Sequence, residues 1–110
     1  MQVQAITKNV RMSAQKMREM VRQIQGLNAL HAQAVLAVVP RKSARVVAKT
    51  LKSAMANAEN NNGAKPETLK VKEAVAQTAR TLKRFTPKAR GSAGPILKRS
   101  CHVKIVVSDE

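Results

Sequence analysis

Residues 80–104 read RTLKRFTPKARGSAGPILKRSCHVK, a stretch with eight Lys or Arg and no Asp or Glu. Its centre, residues 87–95, is rich in Pro, Gly and Ser, which favour turns. On either side, apolar residues recur at every second position as in a β-strand, at Leu69 and Val71 before it and at Val103, Ile105 and Val107 after it. Alternation on both sides of a turn-rich centre predicts one long antiparallel β-hairpin. The hairpin tip is too basic and too poor in apolar residues to form a core of its own. We therefore expect an anionic partner to hold it straight.

The whole chain shares this excess of positive charge. Its 110 residues include 21 Lys or Arg against 6 Asp or Glu, giving a formal net charge of +15 and a pI of about 11.3. Such an imbalance is typical of proteins that bind polyanions. Because the chain has no Trp, no Tyr and one Phe, we expect recognition through phosphates, sugars and shape rather than through stacked bases.

Length and cysteine content indicate the organisation and compartment. We expect one domain, residues 1–110, with residues 80–100 as a protruding hairpin. The single Cys101 has no partner for an internal disulfide, which fits a reducing compartment. The first ten residues lack the basic-then-apolar order of a signal peptide, and no stretch approaches the ~20 apolar residues of a membrane span. We expect a cytoplasmic protein, with an organelle matrix as the less favoured location.

Upstream of the hairpin, the sequence predicts one strand and three helices. Ser13 and Asn28 are suited to cap the first two helices, and Gly26 and Pro40 to end them. The predicted ranges are 3–10 for the strand and about 13–25 and 29–38 for the first two helices. The third helix is predicted to begin near residues 41–43 and to end in a turn at residues 60–63. With the two strands that flank the hairpin, the prediction is an α+β fold. It has three helices packed on a small three-stranded antiparallel sheet, with a long extended β-hairpin.

Helical spacing predicts which faces are buried and which are basic. The expected buried stripe of the second helix is Leu30, Ala34 and Val38, and that of the third is Ala44, Val47, Ala48, Leu51, Met55 and Ala58. A separate row on the third helix, the basic row, consists of Arg41, Arg45, Lys49 and Lys52. Such a row is usually a solvated surface, but with so few acids to balance it, RNA contact is the favoured interpretation.

The sequence offers no clear catalytic or metal-binding set. Cys101 and His102 are adjacent on a predicted strand, so their side chains point to opposite faces. Two His and one Cys match no familiar metal-ligand spacing, and the four Gly match neither a phosphate loop nor a dinucleotide fingerprint. We therefore expect no enzyme, no metal and no cofactor.

Several blocks of sequence resemble the family of bacterial large-subunit ribosomal protein twenty-two. Residues 82–91, LKRFTPKARG, resemble its hairpin signature, and residues 98–103, KRSCHV, resemble its return strand. Residues 10–16, VRMSAQK, resemble the opening of its first helix, and residues 51–61, LKSAMANAENN, the end of its long helix. Residues 69–74, LKVKEA, fit the following strand. The blocks occur in the family's order and cover nearly the whole chain.

The resemblance implies a structural constituent of the large subunit that binds its ribosomal RNA, aids its assembly and lines the nascent-peptide exit tunnel with its hairpin. It also implies neighbouring ribosomal proteins and the nascent polypeptide as partners, with one copy in each ribosome. From the basic pattern and the resemblance together, the expected RNA contacts are Arg11, Lys16, Arg41, Arg45, Lys49, Lys52, Arg80, Lys83, Arg84, Lys88, Arg90, Lys98 and Arg99. The expected tunnel-lining residues are Lys88, Ala89, Arg90, Gly91, Ser92 and Ala93.

The chain departs from the family pattern near the hairpin bend. Residues 77–80, QTAR, stand where the family commonly has an acidic D-E-G-P, and Ser92 stands where it often has Arg. Two alternatives stay open: a DNA-bending architectural protein with basic β-arms, which would have to dimerise on duplex DNA, and a cationic membrane-active chain, for which aromatic anchors are missing.

Overall fold

The computed structural model describes residues 2–87, 91 and 93–109, and it confirms the predicted α+β class. The elements, in chain order, are β1 (Gln2–Val10), α1 (Ala14–Ile24), α2 (Ala29–Val38), α3 (Lys42–Asn62), a 3₁₀ turn (Pro66–Thr68), β2 (Lys70–Thr78), β3 (Leu82–Pro87), β4 (Ala93–Lys98) and β5 (Cys101–Ser108).

The main sheet is antiparallel, with β5 in the centre between β1 and β2. Cys101, Val103 and Ile105 alternate along β5 with half-buried polar residues and are fully buried, as the period of two along a strand requires. Ile105 pairs with Ala5 on one side and with Ala74 on the other. Two alanines on the outer strands therefore flank the large apolar side chain of Ile105.

The three helices cover one face of this sheet. α1 packs against β2, α3 packs against β1 and β5, and α2 packs against α3. The predicted caps are confirmed: Ser13 Oγ accepts from the backbone N–H of Lys16 at 3.5 Å, and Asn28 Oδ1 accepts from that of Leu30 at 3.0 Å. α3 ends at Gly63, whose φ of +66° suits a residue without Cβ.

The buried stripe predicted for α2 is wrong. Leu30, Ala34 and Val38 are exposed, with 79% of Val38 accessible to solvent. The buried residues of α2 are Ala29, Ala32 and Leu36. The sequence of this helix, ALHAQAVLAV, is apolar on nearly every side, so spacing alone did not distinguish its faces. Of its four alanines, Ala29 and Ala32 are buried and Ala34 and Ala37 are exposed, so the packing of α2 against α3 selects the buried face.

The hairpin strands β3 and β4 form a separate two-stranded antiparallel sheet. The sequence predicted continuous pairing from β2 and β5 into the hairpin, but three residues (79–81) lead outward and only two (99 and 100) lead back. One extra residue on one strand disrupts a ladder and bends it. The junction keeps two hydrogen bonds, from Ala79 N to Ser100 O at 3.0 Å and from Ser100 Oγ to Arg80 O at 2.7 Å.

The molecule is strongly elongated. Its principal extents are 63 × 25 × 17 Å and its radius of gyration is 17.1 Å, against about 13 Å for a compact chain of roughly 100 residues. The hairpin thus projects from the helix-covered sheet as an arm.

Candidate nucleic-acid interface

A groove of about 890 Å³ opens between the starts of α1 and α3 and the base of the hairpin. We call it the cationic groove, because five of its eleven lining residues are Arg or Lys and one is Glu. Its charged residues are Arg11, Lys16, Glu19, Arg41, Lys42 and Arg99. Positive charge from three separate parts of the chain is thereby concentrated in one concave surface, which raises the local concentration of an anionic ligand.

Two hydrogen bonds fix the geometry of the cationic groove. Arg11 Nη1 donates to the carbonyl oxygen of Arg99 at 2.6 Å, and Lys42 Nζ donates to that of Arg11 at 3.3 Å. These bonds join the first residue of α3, the β1–α1 loop and the hairpin base. A guanidinium has five N–H donors, so Arg11 can hold the hairpin in place and still bind a phosphate.

The charge on Arg41 is only loosely neutralised. Arg41 Nη1 lies 3.2 Å from Glu19 Oε2, and both side chains are more than half exposed, at 57% and 54%. An exposed ion pair of this kind contributes at most about 1 kcal/mol. A phosphate entering the groove can therefore replace Glu19 as the partner of Arg41 at little cost.

The two helix starts add to the positive potential of the groove. Neither α1 nor α3 has an acidic residue in its first turn, and Arg41, the N-cap of α3, makes no side-chain capping hydrogen bond. Backbone N–H groups at a helix start carry partial positive charge and bind anions readily. The two helix starts and the basic side chains therefore both favour an anionic ligand.

Four of the thirteen predicted RNA contacts line this groove, and others lie along α3 and the hairpin. Arg11, Lys16, Arg41 and Arg99 line it directly. The basic row starts at the groove with Arg41 and continues along α3 through Arg45, Lys49 and Lys52, all exposed. Exposed cations on and beside the hairpin strands are Arg80, Lys83, Arg84 and Lys98. Sequence reasoning missed Lys42; its only signal was its place beside Arg41 at a helix start.

Part of the predicted hairpin tip lies outside the described residues. Lys88, Ala89, Arg90 and Ser92 are in this part, so the RNA contacts and tunnel-lining roles expected of them remain predictions. Gly91 has a φ of +74°, a conformation that favours glycine. Ala93 is the first residue of β4, and its predicted role is equally untested.

The geometry of Cys101 and His102 does not support a catalytic pair. Cys101 is fully buried in the sheet, while His102 is half-buried and its Nδ1 accepts the backbone N–H of Asn9 at 3.0 Å. Within residues 2–87, 91 and 93–109, no group of three or more His, Cys, Asp or Glu is placed to hold a metal ion. None of the described helices combines the length and apolarity needed to cross a membrane.

The Cys101 thiol is expected to be unreactive in the folded chain. Burial raises the pKa of this thiol, and the nearby positive charge of Arg18 opposes the shift only in part. Because the thiolate is the reactive form, we expect a disulfide reagent at pH 8 to modify native protein at least about tenfold more slowly than unfolded protein. Because the pKa of Cys101 is raised in the folded chain, its neutral thiol contributes fully to the free energy of unfolding below pH 8.5, about the pKa of an unfolded cysteine. This contribution is lost as the pH rises through the pKa of the folded chain. Equal rates in native and denaturing buffer would contradict the burial of Cys101.

Comparison with known proteins assigns the chain to a family. Residues 5–108 match the family described as "Ribosomal protein L22p/L17e". The chain belongs to this family. It is 52% identical over 109 residues to the "Large ribosomal subunit protein uL22" of Opitutus terrae, with 99% of this chain and 96% of that protein covered. It is 44% identical over 110 residues to the protein of the same description from Akkermansia muciniphila, with 100% and 98% covered.

Membership of the L22p/L17e family confirms the resemblance inferred from the hairpin and helix blocks. The family consists of structural, non-enzymatic ribosomal proteins, and its bacterial-type members are components of the large ribosomal subunit in the cytoplasm. The expectation that the chain is not an enzyme is confirmed. The DNA-bending alternative is not favoured by these relationships.

Proposed function

We propose that this large-subunit protein binds the ribosomal RNA of that subunit through one cationic surface, aids its assembly, and lines the peptide exit tunnel with its hairpin. The observation that carries the proposal is the cationic groove, because it joins the basic row to the hairpin. Arg41 belongs to both the groove and the row, and Arg99 immediately follows β4. In this proposal residues 1–110 form a single domain, and residues 80–100 reach between RNA segments.

Phosphate neutralisation supplies the affinity in this proposal. Each cation that contacts a phosphate releases condensed counterions. The logarithm of the binding constant therefore falls linearly with the logarithm of the salt concentration. Shape supplies the specificity. A molecule 63 Å long makes its full set of contacts only with folded RNAs that present phosphates both at its body and along its arm.

The proposed RNA contacts are the thirteen predicted from the sequence together with Lys42. The tip residues 88–93 are proposed to line the tunnel beside the nascent polypeptide. Two of these residues, Lys88 and Arg90, are basic and would present positive charge to the passing chain.

A different surface suits the neighbouring ribosomal proteins. The exposed face of α2 carries Leu30, Ala34 and Val38, and the helix contains neither Lys nor Arg. An apolar surface without cations favours contact with protein over contact with RNA. The chain then acts as a monomer in the ribosome, with RNA at the cationic groove and protein at α2.

The salt dependence of RNA binding tests the groove. We expect the triple variant Lys16→Ala, Arg41→Ala, Lys42→Ala to reduce the slope of log K against log salt by about 2, at ~0.7–0.9 for each lost phosphate contact. The measurement is a titration of a large-subunit ribosomal RNA fragment at several salt concentrations, with duplex DNA of equal length as the competitor.

A matched control distinguishes loss of the groove contacts from a general loss of positive charge. The triple variant Lys65→Ala, Lys70→Ala, Lys72→Ala removes the same charge from exposed positions outside the proposed surface and should change the slope by much less. Equal slopes for the two triple variants would show that the groove is not a binding site. Preference for duplex DNA over ribosomal RNA would favour the DNA-bending alternative.

A further inference from the structure

Phe85 is the one aromatic residue of the chain and is 75% exposed on the hairpin. It lies in β3 directly opposite Pro95 in β4, and residues directly opposite one another in an antiparallel pair share a face. Pro95 is also exposed. A flat aromatic ring and a rigid pyrrolidine ring thus lie side by side on one face of the arm.

The same face of the hairpin leads into the cationic groove. The next residue of β4 on this face is Leu97, which pairs with Lys83 and also lines the groove. Pro95 is two residues further out, about 7 Å along the strand. A strand whose phosphates occupy the groove can therefore continue along this face of the hairpin and contact Lys83 and then Phe85.

Charge favours a nucleic acid over a protein as the occupant of this face. Lys83 shares the face with Phe85, and the opposite face carries Arg84 and Lys98. No acid occurs between Glu73 and Asp109 in the sequence. An acidic protein segment could satisfy the charges, but it would place carboxylates rather than a flat ring on the exposed aromatic. An RNA strand supplies phosphates and rings together.

We propose that Phe85 and Pro95 form a stacking platform for one unpaired nucleobase of RNA, with Lys83 on an adjacent phosphate. This inference rests on the proposed function, since it requires RNA along the hairpin. It revises the expectation from composition that stacked bases play no part: a single aromatic suffices for a single base. Because Phe has no hydrogen-bonding group, the platform should accept any base and discriminate only between unpaired and paired RNA.

A tryptophan at position 85 would report on stacking directly. The chain has no Trp or Tyr, so Phe85→Trp introduces the only strong fluorophore. We expect its emission to fall when short single-stranded oligoadenylate or oligouridylate is added and to stay nearly constant with an RNA duplex carrying the same number of phosphates. Leu82→Trp, on the opposite face of the same strand beside Arg84 and Lys98, is the matched control and should respond alike to the single strands and to the duplex, because it can sense phosphate contact but not stacking at position 85.

Affinity measurements complete the test. Phe85→Ala should weaken binding of single-stranded oligoadenylate roughly 5- to 100-fold and leave duplex binding unchanged. Phe85→Leu keeps an apolar side chain without the flat ring and should lose nearly as much. Since Phe85 is largely exposed, the melting temperature of all variants should match that of the unaltered chain.

Failure of the stacking platform and failure of the proposed RNA-binding function would give different results. Unchanged fluorescence of the Phe85→Trp variant with single strands, or full affinity in Phe85→Leu, would overturn the platform while leaving RNA binding intact. Equal losses on single strands and duplex would overturn it as well, since stacking is specific to unpaired bases. An unaltered chain that binds neither probe nor ribosomal RNA would instead overturn the proposed function itself.

Discussion

Replacing Lys83, Arg84, Lys88 and Arg90 together with Ala should weaken binding to large-subunit ribosomal RNA by on the order of a hundredfold or more at low salt. Four lost phosphate contacts should also lower the salt slope by about 3. Cells that depend on this variant should accumulate incomplete large subunits, detectable as a shifted peak in a sucrose gradient. The reason is that these four residues are more than half of the seven Lys and Arg in residues 80–100.

The fold of the body should survive this replacement. Lys83 and Arg84 are exposed on a two-stranded sheet outside the helix-covered core, so the melting temperature should stay the same or rise slightly as like-charge repulsion falls. The quadruple replacement of Lys8, Lys65, Lys70 and Lys72 removes equal charge from exposed positions elsewhere and serves as the control. Normal particles and unchanged affinity in the hairpin variant would rule out the arm as an RNA-binding element.

Leu51→Ala should have the largest effect on stability. Leu51 is fully buried in α3, the helix that packs against both β1 and β5. Truncating such a leucine leaves a cavity and costs about 2–5 kcal/mol, a large part of the roughly 5–15 kcal/mol that holds a small domain together. Chemical denaturation should show the loss as a lower midpoint with little change in slope.

The hairpin provides the matched control for this core substitution. Leu97 is 46% exposed on β4, and Leu97→Ala should change the free energy of unfolding by no more than about 0.5 kcal/mol. If Leu97→Ala were as destabilising as Leu51→Ala, the arm would belong to the core, and the division into a stable body and an added hairpin would be wrong.

Much of the fold follows from local patterns that physical chemistry makes unambiguous. The spacing of Val103, Ile105 and Val107 identified a strand with a buried face, and helical spacing identified most of the buried residues of α3, from Ala44 to Ala58. Ser13 and Asn28 were predictable as caps because their side chains satisfy backbone donors within three residues. Such interactions are local, so the sequence contains all the information they need.

Features that depend on tertiary contacts were beyond sequence reasoning. The buried face of α2 was assigned wrongly because a helix that is apolar all round gains its orientation from its neighbour α3. The cationic groove unites Arg11, Arg41 and Arg99, which are distant in sequence and meet only through the packing of the helix starts against the hairpin base.

The proposed role of Phe85 also depends on tertiary structure that the sequence does not reveal. Counting aromatics argued against base stacking, because composition carries no information on where a residue lies. The strand register opposite Pro95 and the exposure of the ring are what turn one phenylalanine into a candidate platform. The predicted contacts at Lys88 and Arg90 lie outside the described residues, so the structure adds nothing to them.

Co-sedimentation with ribosomal particles tests the central claim most directly. The tagged chain would be followed through a sucrose gradient of cell extract, with the large-subunit fractions then washed in moderate and in high salt. We predict that the chain sediments with the large subunit, remains through the moderate wash and is released progressively at high salt. A chain that stays at the top of the gradient, or that distributes equally between the two subunits, would contradict the account.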